Sequence, residues 1–169
     1  MFKRLMSPIL VNSVLLISVA GISNPGQAVA QQQNATPEPP ARFSVRVTYS
    51  QKASETLAAK SETVIVAGYL YGFPKKGTPK KYIDHMGQIG IGDDVHQEII
   101  PGAVATFGAI KLDQAMLQWL DSQGPQILIN VYSGRKSTPN NLLDCGIYEG
   151  PLAAVQGQTV PISCKLIGE

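Results

Sequence analysis

The chain has 169 residues, 14 Lys and Arg against 12 Asp and Glu, a formal net charge of +2, and 44% apolar residues. So modest a charge and so fair an apolar content exclude a disordered carrier. Two cysteines are too few for a disulfide-dense miniature scaffold or a cysteine-rich zinc module.

Residues 1–30 read as a cleaved signal peptide. Lys3 and Arg4 make a short positive start, an apolar stretch runs from Pro8 to Ile22, and Asn24, Pro25 and Gly26 break it. Ala28-Val29-Ala30 then supplies the small residues that precede a cleavage site. The apolar stretch is about 15 residues, short of the ~20 that a membrane-spanning helix needs. Lys3 and Arg4 are the only charges in this segment, so residues 31–169 hold 12 basic and 12 acidic residues and no net charge. That removes the electrostatic case for nucleic acid as a partner. The mature protein is expected to be periplasmic or secreted, with no integral membrane segment after cleavage. Residues 31–41, QQQNATPEPPA, form a flexible Pro/Gln-rich leader with almost nothing to bury. Residues 42–169 are of a length to make a single domain that buries most of its apolar surface without help.

Arg42 to Ser50 alternates, with Phe43, Val45, Val47 and Tyr49 on one face, and predicts a half-buried strand. Gln51 to Ser61 is polar and predicts a loop or one helical turn. Glu62 to Tyr71 is nearly continuous in β-favouring residues and predicts a central strand covered on both faces. Gly72 to Lys81, GFPKKGTPKK, is a loop by composition. A short strand is expected near Gln88 to Ile91, a turn at Asp93-Asp94, and a strand from Val95 to Ile100. Pro101-Gly102 suits the centre of a type II turn. Val104 to Leu112 predicts the next strand. Asp113 to Asp121 predicts the one short helix, capped by Asp113, with Trp119 docked and partly buried.

Gln126 to Ser133 predicts a second central strand, and Gly134 to Asn141 an exposed turn. LLDCGIY predicts a strand with Leu143, Cys145 and Ile147 on one face; Val160, Ile162, Cys164 and Leu166 share a face of the last strand. Cys145 and Cys164 thus point inward on neighbouring strands and are expected to form a disulfide, as an oxidising compartment allows. Seven or eight short strands with turns between them and no strand–helix alternation predict a mostly β protein. The expected form is an antiparallel β-sandwich, immunoglobulin-like or transthyretin-like in general shape, with one short crossover helix. A closed barrel is the alternative.

Catalytic motifs are scarce. The sequence has no Gly-x-Ser-x-Gly elbow and no Cys-x-x-Cys, and Gly87, Gly90 and Gly92 are spaced unlike a dinucleotide fingerprint. Two clusters remain. Asp84, His85, Asp93, Asp94 and His96 bring both histidines within 12 residues. A tight hairpin from Gly87 to Asp94 would bring the imidazoles together for zinc or copper. Lys75, Lys76, Lys80 and Lys81, flanked by Phe73 and Tyr82, join charge to aromatic surface; such lysines also serve simply to keep a loop soluble. The function expected is an exported, non-enzymatic binding or accessory module of the cell envelope, without a cofactor. Its partner would be an envelope protein or an anionic envelope polymer. The alternative is a small metal-binding protein or metal-dependent hydrolase using the Asp84–His96 region.

Overall fold

The computed structural model describes residues 42–169; the signal peptide and leader read from residues 1–41 lie outside the described residues. In chain order, β1 is Phe43–Tyr49, α1 Gln51–Ala59, β2 Val64–Gly72, β3 Ile89–Gly90, β4 Val95–Ile99, β5 Val104–Phe107 and α2 Gln114–Leu117. Then follow β6 (Gln126–Ser133), β7 (Leu143–Cys145), β8 (Tyr148–Pro151), α3 (Leu152–Val155) and β9 (Thr159–Leu166).

The strands make a β-sandwich. One sheet has the order β5-β1-β9-β7. In the other, β2 and β6 are central, β8 flanks β6, and β3 and β4 both pair with β2. Period-two alternation sets which residues face the interior. Val45, Val47, Ile162, Val66, Ile127 and Ile129 are all buried there in one cluster. Each such side chain contributes about 1.5–3 kcal/mol when fully removed from water. Phe43 and Phe107 are register partners whose rings stack at 4.7 Å between centroids, closing the core beside β5.

Two features depart from the expected plan. The first and last strands, β1 and β9, pair in parallel at the centre of their sheet, while the other strand pairs are antiparallel. Parallel neighbours cannot be joined by a hairpin, so everything between them must be crossover. Three helices, not one, serve the crossovers: α1, α2 and α3 each lie in a connection that changes sheet. Gln97 of β4 also spans the gap between the two sheets. Its side-chain amide donates to the Thr106 carbonyl at 2.6 Å and accepts the Thr106 N–H at 2.9 Å, satisfying the free edge of β5.

Helix α1 occupies the segment expected as a loop or a single turn. Ser50 caps it, its hydroxyl accepting the Ala53 N–H, and Ala53 and Leu57 bury one narrow stripe at i, i+4 spacing. The predicted strand LLDCGIY is two strands. Residues 143–145 pair with β9, residues 148–151 pair with β6 in the opposite sheet, and Ile147 between them is 63% exposed instead of inward. Cys145 and Cys164 are directly opposed across β7 and β9, with their sulfurs 2.05 Å apart, the distance of a disulfide bond.

The connection from β6 to β7, expected as an exposed turn, is built on a buried carboxylate. Glu62 is 2% exposed. One oxygen accepts the N–H groups of Thr63 and Lys136, and the other the N–H and hydroxyl of Ser137, at 2.5–3.1 Å. Burial works to raise the Glu62 pKa, but these four donors outweigh it and hold the carboxyl down at about 2. Gly134 packs so closely on Thr63 that a Cβ there would stand 1.9 Å from the threonine hydroxyl.

Candidate functional site

The lysine loop between β2 and β3 is anchored by a distant segment. Pro74 and Leu120 form an isolated antiparallel bridge. The Lys75 N–H donates to the Trp119 carbonyl at 2.9 Å, and the Asp121 N–H donates to the Phe73 carbonyl at 2.8 Å. The Thr78 hydroxyl lies 2.8 Å from the Lys75 carbonyl and 3.2 Å from that of Trp119, closing the turn. These bonds explain why α2 stops at Leu117, short of the expected Asp121: residues 119–121 are drawn into pairing with residues 73–75. The close approach needs Gly72, because a Cβ there would meet Leu120 Cδ2 at 2.5 Å.

Side chains extend the same contact. The Tyr82 ring, in the one-turn 3₁₀ segment Lys80–Tyr82, lies 5.8 Å from the Trp119 ring and is tilted by 32°. The Lys75 ammonium is 5.8 Å from the indole centroid and the Lys81 ammonium 4.8 Å from the Tyr82 centroid. Cation–ring contacts of this kind are worth about 0.5–1 kcal/mol each at exposed positions. Phe73, half-buried, meets Tyr71 edge-on at 5.6 Å. Tyr71 is fixed in turn by its hydroxyl, which donates to Glu149. Burial, then this carboxylate, push the phenol up to about 12.

All four lysines are exposed. Among the described residues the ion pairs are Lys136–Glu98 and Lys165–Asp144, so none of the four has a carboxylate partner. Lys75, Lys81 and Tyr82 thus gather at Trp119, while the Phe73 ring packs on Tyr71 instead, and Lys76 and Lys80 stand on the same loop with no ring contact among the described residues. Trp119 and Thr78 belong to this site; the sequence marks Trp119 only as a docked helix residue, not as part of the loop, and does not single out Thr78. No local signal could mark Trp119, because it reaches the loop across 41 residues of chain.

The acidic and histidine cluster does not assemble. β3 and β4 do not pair with each other as a hairpin. They follow one another along the same side of β2, with Ile89 opposite Gly72 and Val95 opposite Gly68. His96 thus stands opposite Ala67, whereas His85 lies in the loop before β3, whose Ile89 stands opposite Gly72, roughly 16 Å of strand away from Ala67. Asp84 is committed to its own turn, one oxygen accepting the Met86 and Gln88 N–H groups at 2.8 and 2.9 Å. Asp93 and Asp94 are exposed in the irregular link between a bend at Gly92 and β4, not in the expected turn, with Asp93 at the rim of an open depression shared with Lys111 and Asp113. Among the described residues no three His, Cys, Asp or Glu side chains are grouped to hold a metal ion.

No family model, no curated protein and no solved structure matches the chain.

Proposed function

We propose that this protein is an exported, non-enzymatic binding module that meets an acidic component of the cell envelope through the Phe73–Tyr82 loop. One observation carries this reading: four exposed lysines, without carboxylate partners among the described residues, stand on a loop whose backbone is bonded to Trp119. Four such charges raise the local potential and attract an acidic partner from a distance. A loop already held in place loses little conformational freedom on binding, so more of the contact energy appears as affinity. Solubility alone asks for charge, but not for a loop tied at both backbone and ring to a distant tryptophan. The pattern of residues 1–30 supplies the export part of the proposal.

The test starts from wild-type protein, used to isolate its partner from native envelope extract. Association rates are then measured for wild type and for a variant with Lys75, Lys76, Lys80 and Lys81 all changed to Gln, at low and high salt. The variant is expected to associate at least tenfold more slowly at low salt and to lose most of the salt dependence. Equal rates with equal salt dependence would leave the loop with no role beyond solubility.

A further inference from the structure

We infer, resting on the binding-module reading above, that the acidic component is a lipid surface: an anionic bilayer whose headgroups meet the four lysines and whose outer acyl layer receives Met86. Met86 is 68% exposed, among the most exposed large apolar side chains of the described residues. It follows Tyr82 by only four residues, at most about 14 Å of chain, so it lies near the lysine loop. It is held out by a closed turn. The Asp84 carboxylate takes the Met86 and Gln88 N–H groups, the Asp84 N–H donates to the Gln88 carbonyl at 2.8 Å, and Gly87 adopts the positive φ of 79° that the turn requires.

An unbranched apolar side chain held out on a closed turn near lysines that have no carboxylate partner among the described residues fits a surface that is charged outside and oily beneath. A soluble polyanion would satisfy the lysines and gain nothing from Met86. Tyr82 and Trp119, both half-exposed and each with an apolar body and a polar edge, are the ring types that settle at the headgroup level of bilayers. Each lysine near an anionic surface strengthens binding by about fivefold, and a buried methionine by about tenfold or more.

The test uses the full chain with vesicles of pure phosphatidylcholine, vesicles containing phosphatidylglycerol, and soluble polyphosphate. Trp119, the only tryptophan, reports binding by energy transfer to a labelled lipid. Wild type is expected to bind the phosphatidylglycerol vesicles and not the neutral ones. The quadruple Lys→Gln variant is expected to weaken this by about 600-fold, four lysines at about fivefold each. Met86→Ser should weaken vesicle binding by about tenfold while leaving any polyphosphate binding unchanged. Binding to polyphosphate without binding to vesicles overturns the lipid inference and leaves the binding-module reading standing. Vesicle binding that Met86→Ser does not weaken overturns the inserted tip. Salt-dependent binding to none of the three probes, nor to any partner from extract, sinks both.

Discussion

Lys75 and Trp119 hold each other twice, through a 2.9 Å hydrogen bond between their backbones and through an ammonium 5.8 Å from the indole centroid. The site therefore depends on a segment far along the chain, and its rigidity is a property of the pair.

Trp119→Ala keeps the backbone bond but deletes the ring contacts to Tyr82 and Lys75. We expect a stability loss of about 2 kcal/mol, below the range for a fully buried aromatic because the ring is half-exposed. Trp119→Phe should recover most of it. Urea unfolding followed by circular dichroism measures both, and an alanine variant as stable as wild type would mean that the ring contacts carry no weight.

Gly72→Ala places a methyl group 2.5 Å from Leu120 Cδ2. Leu120 is 9% exposed and cannot swing freely into solvent, so the strip 119–121 must shift. The expected cost is about 1–3 kcal/mol, typical of overpacking. Amide exchange at Lys75 and Asp121 should quicken more than exchange within β6; uniform acceleration across the domain would argue against a local effect.

Glu62 sets an acid limit. Its folded pKa, about 2, lies below the ordinary carboxylate value, so the unfolded chain binds more protons between these values and stability rises with pH there. The contribution is fully present above the unfolded value of about 4.5 and is lost as pH falls toward 2. Glu62→Gln loses acceptor capacity and should cost about 3 kcal/mol near neutral pH while flattening stability between pH 5 and pH 2. Urea midpoints measured across that window check it; an unchanged slope would assign the acid limit to other groups.

Changing Cys145 and Cys164 together to Ser releases β7 from β9. A loop closed by residues 19 apart predicts a loss of about 2–4 kcal/mol. Reductant should shift the urea midpoint of wild type to that of the double variant and leave the variant unmoved.

The long strands are legible in the sequence because their period is clean. Phe43, Val45 and Val47, or Val160, Ile162 and Cys164, show two-residue alternation that hardly any other structure produces. Helix α1 is poorly legible, since its buried stripe is one alanine and one leucine and the cap Ser50 is the main signal. The split of LLDCGIY is hidden because Gly146 and Ile147 turn the chain between sheets without a proline or an Asn-Gly pair to mark it. Half of the candidate site is visible as composition, four lysines among aromatics. Trp119 is not, because long-range pairing with residues 73–75 overrides the local helical pattern that the sequence shows there. The expected metal cluster does not come together among the described residues: spacing brings His85 and His96 close in sequence, and register along β2 then carries them apart.

The parallel pairing of β1 with β9 also orders events in time. Thr48 and Ser163 sit side by side at the centre of their sheet, 115 residues apart in sequence. While the chain is being made, β1 has only β5 to lean on, and its other edge stays open until the last strand has emerged. Such distant pairing is slow to form, commonly taking milliseconds to seconds. A newly made chain therefore spends its early life with half a sheet missing. It needs shielding from neighbours with equally open edges.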